Sequence, residues 1–198
     1  MIKGLARCWW IAVPLIMVGC ATKVTRVQSD STMDLSGRWN DADSRLVSEA
    51  MIKDCLSQGW LHKWDTLNKQ PTVVVGRIAN KSHEHISTET FAEDVERALL
   101  NSGKVGFVAG KAERDQLRDE KADQQDNASA QSVNSLHEET GADLMMTGDV
   151  NSIVDQEGSK AVIYYQVSMK LIEIESNRNV WIGEKKIKKY VERSEAKF

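Results

Sequence analysis

Met17-Val18-Gly19-Cys20 places a thiol directly after a small residue, at the end of a short apolar run, Cys8 to Val18, that follows the basic Lys3 and Arg7. This is the arrangement of a lipoprotein signal. Cleavage before Cys20 frees an N-terminus whose sulfur takes a diacylglycerol and whose amine takes an acyl chain such as palmitate. The run is shorter than the roughly 20 apolar residues that span a bilayer, so a cleaved signal over residues 1–19 is expected rather than a retained helix. Each buried methylene of such chains contributes about 0.8 kcal/mol, and two or three chains keep a soluble domain on a membrane surface. Ala21 follows the cysteine where inner-membrane lipoproteins of bacteria often carry aspartate, which favours the periplasmic face of the outer membrane.

Elsewhere the residues capable of chemistry do not fall into working sets. Gly106-Phe107-Val108-Ala109-Gly110-Lys111-Ala112 is one residue short of a phosphate loop, and Ala112 stands where a hydroxyl would hold magnesium. Asp41 and Asp43 could begin a calcium loop, but its twelfth position would be Ile52 rather than a bidentate glutamate. His83-Glu84-His85 sets two imidazoles two residues apart with no cysteine or third histidine nearby, which suits hydrogen bonding in a loop better than a metal. No Gly-x-Ser-x-Gly elbow occurs. No catalytic residue, cofactor site, metal or small-molecule substrate is therefore expected.

Loss of residues 1–19 removes two basic side chains and no acidic one, taking the net charge from -3 to -5. Such a chain repels polyanions, so nucleic acid is not an expected partner. Cys8 leaves with the signal and Cys20 is acylated, which leaves Cys55 alone and an internal disulfide impossible. Cys55 follows Val47 and Met51 at helical spacing and reads as a small core residue.

These positions must be carried by a single domain. Residues 20–37 are small and polar, a lipidated N-terminus and flexible tether, and residues 38–198 are the globular part. Asp43 or Ser44 can cap a first helix with Leu46, Val47, Ala50, Met51 and Cys55 on one stripe and Gly59 at its end, and Trp60 to Trp64 suit one more short turn. Thr72 to Ile78 is continuously apolar enough for a strand buried on both faces. Thr90 and Glu93 have capping-box spacing before a helix with Phe91, Val95, Ala98 and Leu99 inward, and Val105 to Ala109 forms a short strand. Residues 111–131 have Leu117 as their one large apolar side chain and read as a solvated helix or loop, and Val133 and Leu136 suggest a further helix capped at Gly141. Three strands close the chain, about 144–154, 161–175 and 180–190, with turns at Gly158 and Asn177. The expected fold is mixed α+β: helices packed on a mixed sheet with antiparallel C-terminal strands.

Several strings, in order, resemble one family. Met51-Ile52-Lys53-Asp54-Cys55-Leu56, Pro71 to Ile78, Asn80 to Ile86, Gly141-Ala142-Asp143-Leu144 with Thr147-Gly148, Tyr164-Tyr165 and Val180-Trp181 resemble the LpoB family of lipoprotein activators of penicillin-binding proteins. The resemblance implies a fold like the N-terminal domain of TolB. It also implies a non-enzymatic, monomeric outer-membrane lipoprotein that docks on a bifunctional peptidoglycan synthase and stimulates it. The alternative is an interaction or assembly module of another envelope machine, as in TolB-like and CsgG-like relatives of this fold. Two departures stand out: the segment after Cys20 has no proline before Pro71, where the family carries a long proline-rich linker, and Asn177 replaces a usual glycine. For partner contact the candidates are Arg114, Arg118 and Asp119 on the charged segment and Lys186 and Lys188 on the last strand.

Overall fold

The computed structural model describes residues 23–28, 31–134 and 139–193. The chain divides into two units, Met1–Ser31 and Thr32–Phe198. In the first, residues 23–28 carry no regular secondary structure. All helices and strands described lie in the second, and none of the helices is long and apolar enough to cross a membrane.

Helix α1 spans Asp41–Ser57 and buries Val47, Met51, Ile52 and Cys55. Its cap is Asn40 rather than Asp43 or Ser44. The Asp43 N–H donates to Asn40 Oδ1 and the Asn40 N–H to Asp43 Oδ2, both at 3.0 Å, so Asp43 closes a capping box from inside the first turn. Leu46, expected on the stripe, is 48% exposed, and Ile52 takes an inward position instead. Helix α2, Leu61–Thr66, is the short turn expected after Trp60, with Trp64 buried and the Trp60 indole N–H donating to the Cys55 carbonyl at 2.8 Å. The same carbonyl in the last turn of α1 also accepts from the Gln58 N–H at 3.3 Å.

Strand β1, Thr72–Lys81, is followed by helix α3, Thr88–Asn101, with Phe91, Val95 and Leu99 inward. Ser87, not Thr90, caps α3 by accepting from the Thr90 N–H. Gly103, at φ +66°, supplies the left-handed residue just after its end. Strand β2 is only Gly106–Phe107, and helix α4, Lys111–Asn127, buries no residue along its length. The helix expected at Val133 to Gly141 is not found among the described residues: Val133 follows a turn, and Leu136 lies outside them. Strands β3 (Leu144–Glu157), β4 (Lys160–Glu173) and β5 (Arg178–Glu192) form the C-terminal meander, its turns held by Gly158 at φ +58° and Asn177 at φ +57°.

The five strands make one mixed sheet in the order β2-β1-β3-β4-β5, with β1 parallel to β2 and β3, and the last three antiparallel. Helices α1 and α3 pack on one face, where Val73, Leu144, Met146, Tyr165, Val167, Met169 and Leu171 are buried. Expectation and structure part at β1. Val73 and Val75 are buried, Val74 between them and Gly76 after them only half-buried, and a register shift after Val75 turns Ile78 inward. Its apolar run reflects one covered face and a bulge, not two covered faces.

Candidate functional site

Among the described residues no three metal-ligating side chains converge. The His83 N–H donates to Ser152 Oγ at 2.9 Å, and its ring Nδ1 lies 3.0 Å from the same oxygen. This pins the loop to β3 beside a cleft of about 300 Å³ that Arg38, Glu84 and His85 also line. Behind it Tyr165 donates its hydroxyl to Glu84 Oε1, which also accepts from the Trp39 N–H at 3.3 Å. Burial, then the Glu84 carboxylate, pushes the Tyr165 phenol well above its ordinary range. Trp39 meets Phe91 and Tyr165 edge-on, at 6.2 and 5.5 Å between ring centres. These groups serve the core. Cys55 is fully buried, and burial pushes its thiol up to about 12, so it is an inert packing residue.

The candidate contact residues fall on opposite edges of the sheet. Arg114, Arg118 and Asp119 lie on α4, which follows the β2 edge, whereas Lys186 and Lys188 lie on β5, the other edge. Arg118 is already engaged: its Nε and Nη2 grip Glu139 at 2.9 Å each, and its Nη1 donates to Asp115 at 3.0 Å. Those hydrogen bonds, Glu139 first, raise the guanidinium pKa and lower that of Glu139. Arg114 is half-buried over a 190 Å³ hollow beside Leu117, with its Nε unpartnered among the described residues. Asp119 is exposed. On β5, Lys186 pairs with Glu184 at 2.5 Å, whereas Lys188 and Lys185 meet no carboxylate among the described residues. Cys20 lies outside the described residues.

One cluster escaped the reading of the sequence. Lys189 is the one lysine of the β5 run whose side chain is largely covered, at 10% exposed, and its ammonium bonds Asp34 Oδ1 at 2.6 Å, Asp43 Oδ2 at 2.5 Å and the Arg38 carbonyl at 3.1 Å. Burial, which alone would lower the Lys189 pKa, is outweighed by the two aspartates, and the shift is upward. The Lys189 hydrogen bond lowers the Asp34 pKa. Asp34 to Gly37, read from sequence as tether, thus lie against the end of β5, where a side chain at Gly37 (φ +72°) would strike Val191. The signal available in sequence was the two-residue period of the strand, which separates Lys185 and Lys189 from Lys186 and Lys188.

The family of the peptidoglycan-synthase activator LpoB matches residues 43–187, from the first turn of α1 to the middle of β5. The chain belongs to the LpoB family. It is similar to the C-terminal domain of LpoB from Escherichia coli, at 14% identity and a TM-score of 0.47 over 73% of this chain and 98% of that one. The corresponding domain from Salmonella enterica gives 17% identity and a TM-score of 0.45 over the same shares. The solution structure of E. coli LpoB gives 15% and 0.43 over 92% of this chain and 88% of that one. No curated protein matches the sequence. The LpoB match takes in β1 to β4, α3, α1 from Asp43 onward and β5 as far as Ile187, and it leaves Asp34 and Lys189 outside. The family is one of activators of a synthase, which gives this domain a regulatory role in peptidoglycan synthesis.

Proposed function

We propose that the mature protein, held at the periplasmic face of the outer membrane by acyl chains on Cys20, binds a bifunctional penicillin-binding protein as a monomer and stimulates it without chemistry of its own. The observation that carries this reading is the match to the activator family across residues 43–187. An activator works by binding the active conformation of its target more tightly than the resting one; each tenfold shift in that balance takes about 1.4 kcal/mol of differential affinity. Reach sets a further condition. Covalent geometry limits the chain between Cys20 and Asp34 to roughly 50 Å, so the synthase must come within that distance of the lipid anchor plus the breadth of the domain.

The test is glycan polymerisation by each purified bifunctional synthase of the same organism, with and without the full chain in detergent. A faster rate with one of them supports activation; unchanged rates with all of them refute it. A Cys20→Ala variant checks the anchor: it is expected to lose palmitate labelling and membrane association while its folded domain still stimulates the purified synthase.

A further inference from the structure

Strand β5 is an edge of the sheet, and its register determines which of its groups are free. The Arg193 N–H donates to the Ser159 carbonyl at 2.9 Å, and the same pairing continues as Glu192 opposite Lys160, Tyr190 opposite Val162 and Lys188 opposite Tyr164. In an antiparallel ladder, directly opposed pairs alternate between bonded and non-bonded. Odd-numbered residues from Gly183 to Arg193 therefore bond to β4, and Glu184, Lys186 and Lys188 turn their backbone N–H and C=O groups to the free edge. The strap at Asp34 to Gly37 lies beside the end of β5, so the stretch left free among the described residues runs from Ile182 to Lys188, about 20 Å at 3.4 Å per residue.

The charge on this stretch is one-sided. Lys186 and Lys188 rise on the face away from the helices and Lys185 on the helix side, so ammonium groups flank the edge on both faces. Among the described residues Glu184 is the one carboxylate that answers them, on Lys186, while Lys185 and Lys188 meet none. Toward the other end Ile182 is 63% exposed. A strand laid along this edge would satisfy the open backbone groups, and it would be stabilised by carboxylates beside the lysines and an apolar side chain beside Ile182. A second copy of β5 would instead double the uncompensated positive charge.

We infer that the free edge of β5 from Ile182 to Lys188 is a docking site for an extended acidic segment of a partner protein, which adds to the sheet as a sixth strand. That the segment belongs to the synthase rests on the activator reading. The site itself does not.

The probe is a short peptide alternating glutamate and valine, added to the full chain in detergent while amide–solvent exchange is read by NMR. Exchange at the Glu184, Lys186 and Lys188 amides is expected to slow about tenfold at nine-tenths occupancy, and the effect should vanish with a lysine–valine peptide and in a Lys185→Glu/Lys188→Glu variant. Equal protection by both peptides, protection by neither, protection at β2 instead, or a dimer joined through β5 without peptide would each overturn the inference. In the polymerisation assay, stimulation by wild type that survives the double charge reversal sinks docking of the synthase on this edge and leaves activation standing. Peptide binding on β5 by a protein that stimulates no synthase keeps the edge site and removes the activator reading.

Discussion

Replacing Lys189 with methionine isolates the cluster that fastens the start of the domain to its last strand. The magnitude follows from the exposure of the three charges. Asp43 and Lys189 have side chains only 10% exposed, so their pair counts as buried, whereas Asp34 at 46% is half in water. Removing one partner of a buried pair costs about 3–5 kcal/mol, because the other charge is left without its counter-ion. Asp43 keeps the Asn40 N–H at 3.0 Å and sits in the first turn of α1, where the helix dipole favours a carboxylate, which places the cost near 3 kcal/mol. The half-exposed contact to Asp34 adds less than about 1 kcal/mol.

For a domain of this size the loss corresponds to a fall in Tm of roughly 6–12 °C. Urea denaturation of the full chain, followed by tryptophan fluorescence and circular dichroism, measures it. Lys188→Met, one residue away on the opposite face, is the control and should stay within about 0.5 kcal/mol of wild type. Adding Asp43→Asn to Lys189→Met should recover most of the loss, since the neutral amide can still accept from Asn40. A Lys189→Met protein within about 0.5 kcal/mol of wild type, or a double variant no better than the single, would refute the reasoning.

The Glu173 carboxyl is held down to about 2, first by the Lys63 ammonium and then by the Ser176 hydroxyl, against an ordinary value of 4.5. A depressed folded-state value means that its contribution is complete above about 4.5 and is lost as pH falls toward 2. Denaturation midpoints taken from pH 6 to 2 should therefore drop more steeply for wild type than for Glu173→Gln; parallel curves would contradict this. A β-carbon at Gly183 would stand 2.0 Å from Cζ2 of Trp181, whose indole N–H donates to Asp54 on α1 at 2.9 Å. Gly183→Ala should cost about 1–3 kcal/mol in urea denaturation by displacing that ring. At Asn177, with φ +57°, a valine should cost about 1–2 kcal/mol in the same assay, because a β-branched side chain crowds the left-handed conformation. Glycine there should stay within about 0.5 kcal/mol of wild type.

Features written in local pattern were legible from the sequence. The Val47, Met51, Cys55 stripe, the alternation of Tyr165, Val167, Met169 and Leu171, and the polar turn at Asn177 each depend on a few adjacent residues, and each lies where the periodicity put it. What failed depended on distant partners or on a local pattern that reads two ways. The apolar run of β1 cannot say whether one or both faces will be covered; that was decided by where α1 and α3 came to pack. The first cap was misplaced by three residues because Asn40 and Asp43 exchange bonds, and an acidic residue at either end of a capping box reads alike. The candidate contact residues shared a physical property, exposed charge, but not a location: α4 and β5 sit at opposite edges, and Arg118 proved committed to Glu139.

Strand β5 shows why position within a two-residue period matters more than composition. Its odd residues hold the domain together: Trp181 reaches Asp54, Ile187 packs against the core beside Tyr165, and Lys189 binds Asp34 and Asp43. Its even residues, from Ile182 to Lys188, face outward with side chain and backbone alike. Four lysines that look equivalent in sequence are thus divided, one spent on fastening the strap and three left to set the charge of an open edge. The strap begins with Asp34 against Lys189, next to the stretch of sheet proposed to receive a partner. Because the fastening uses Lys189 and the edge uses Lys185, Lys186 and Lys188, a change in the charge of the edge leaves the ion pairs of the fastening in place, and a change at Lys189 leaves the edge lysines in place. Each can then be perturbed without the other.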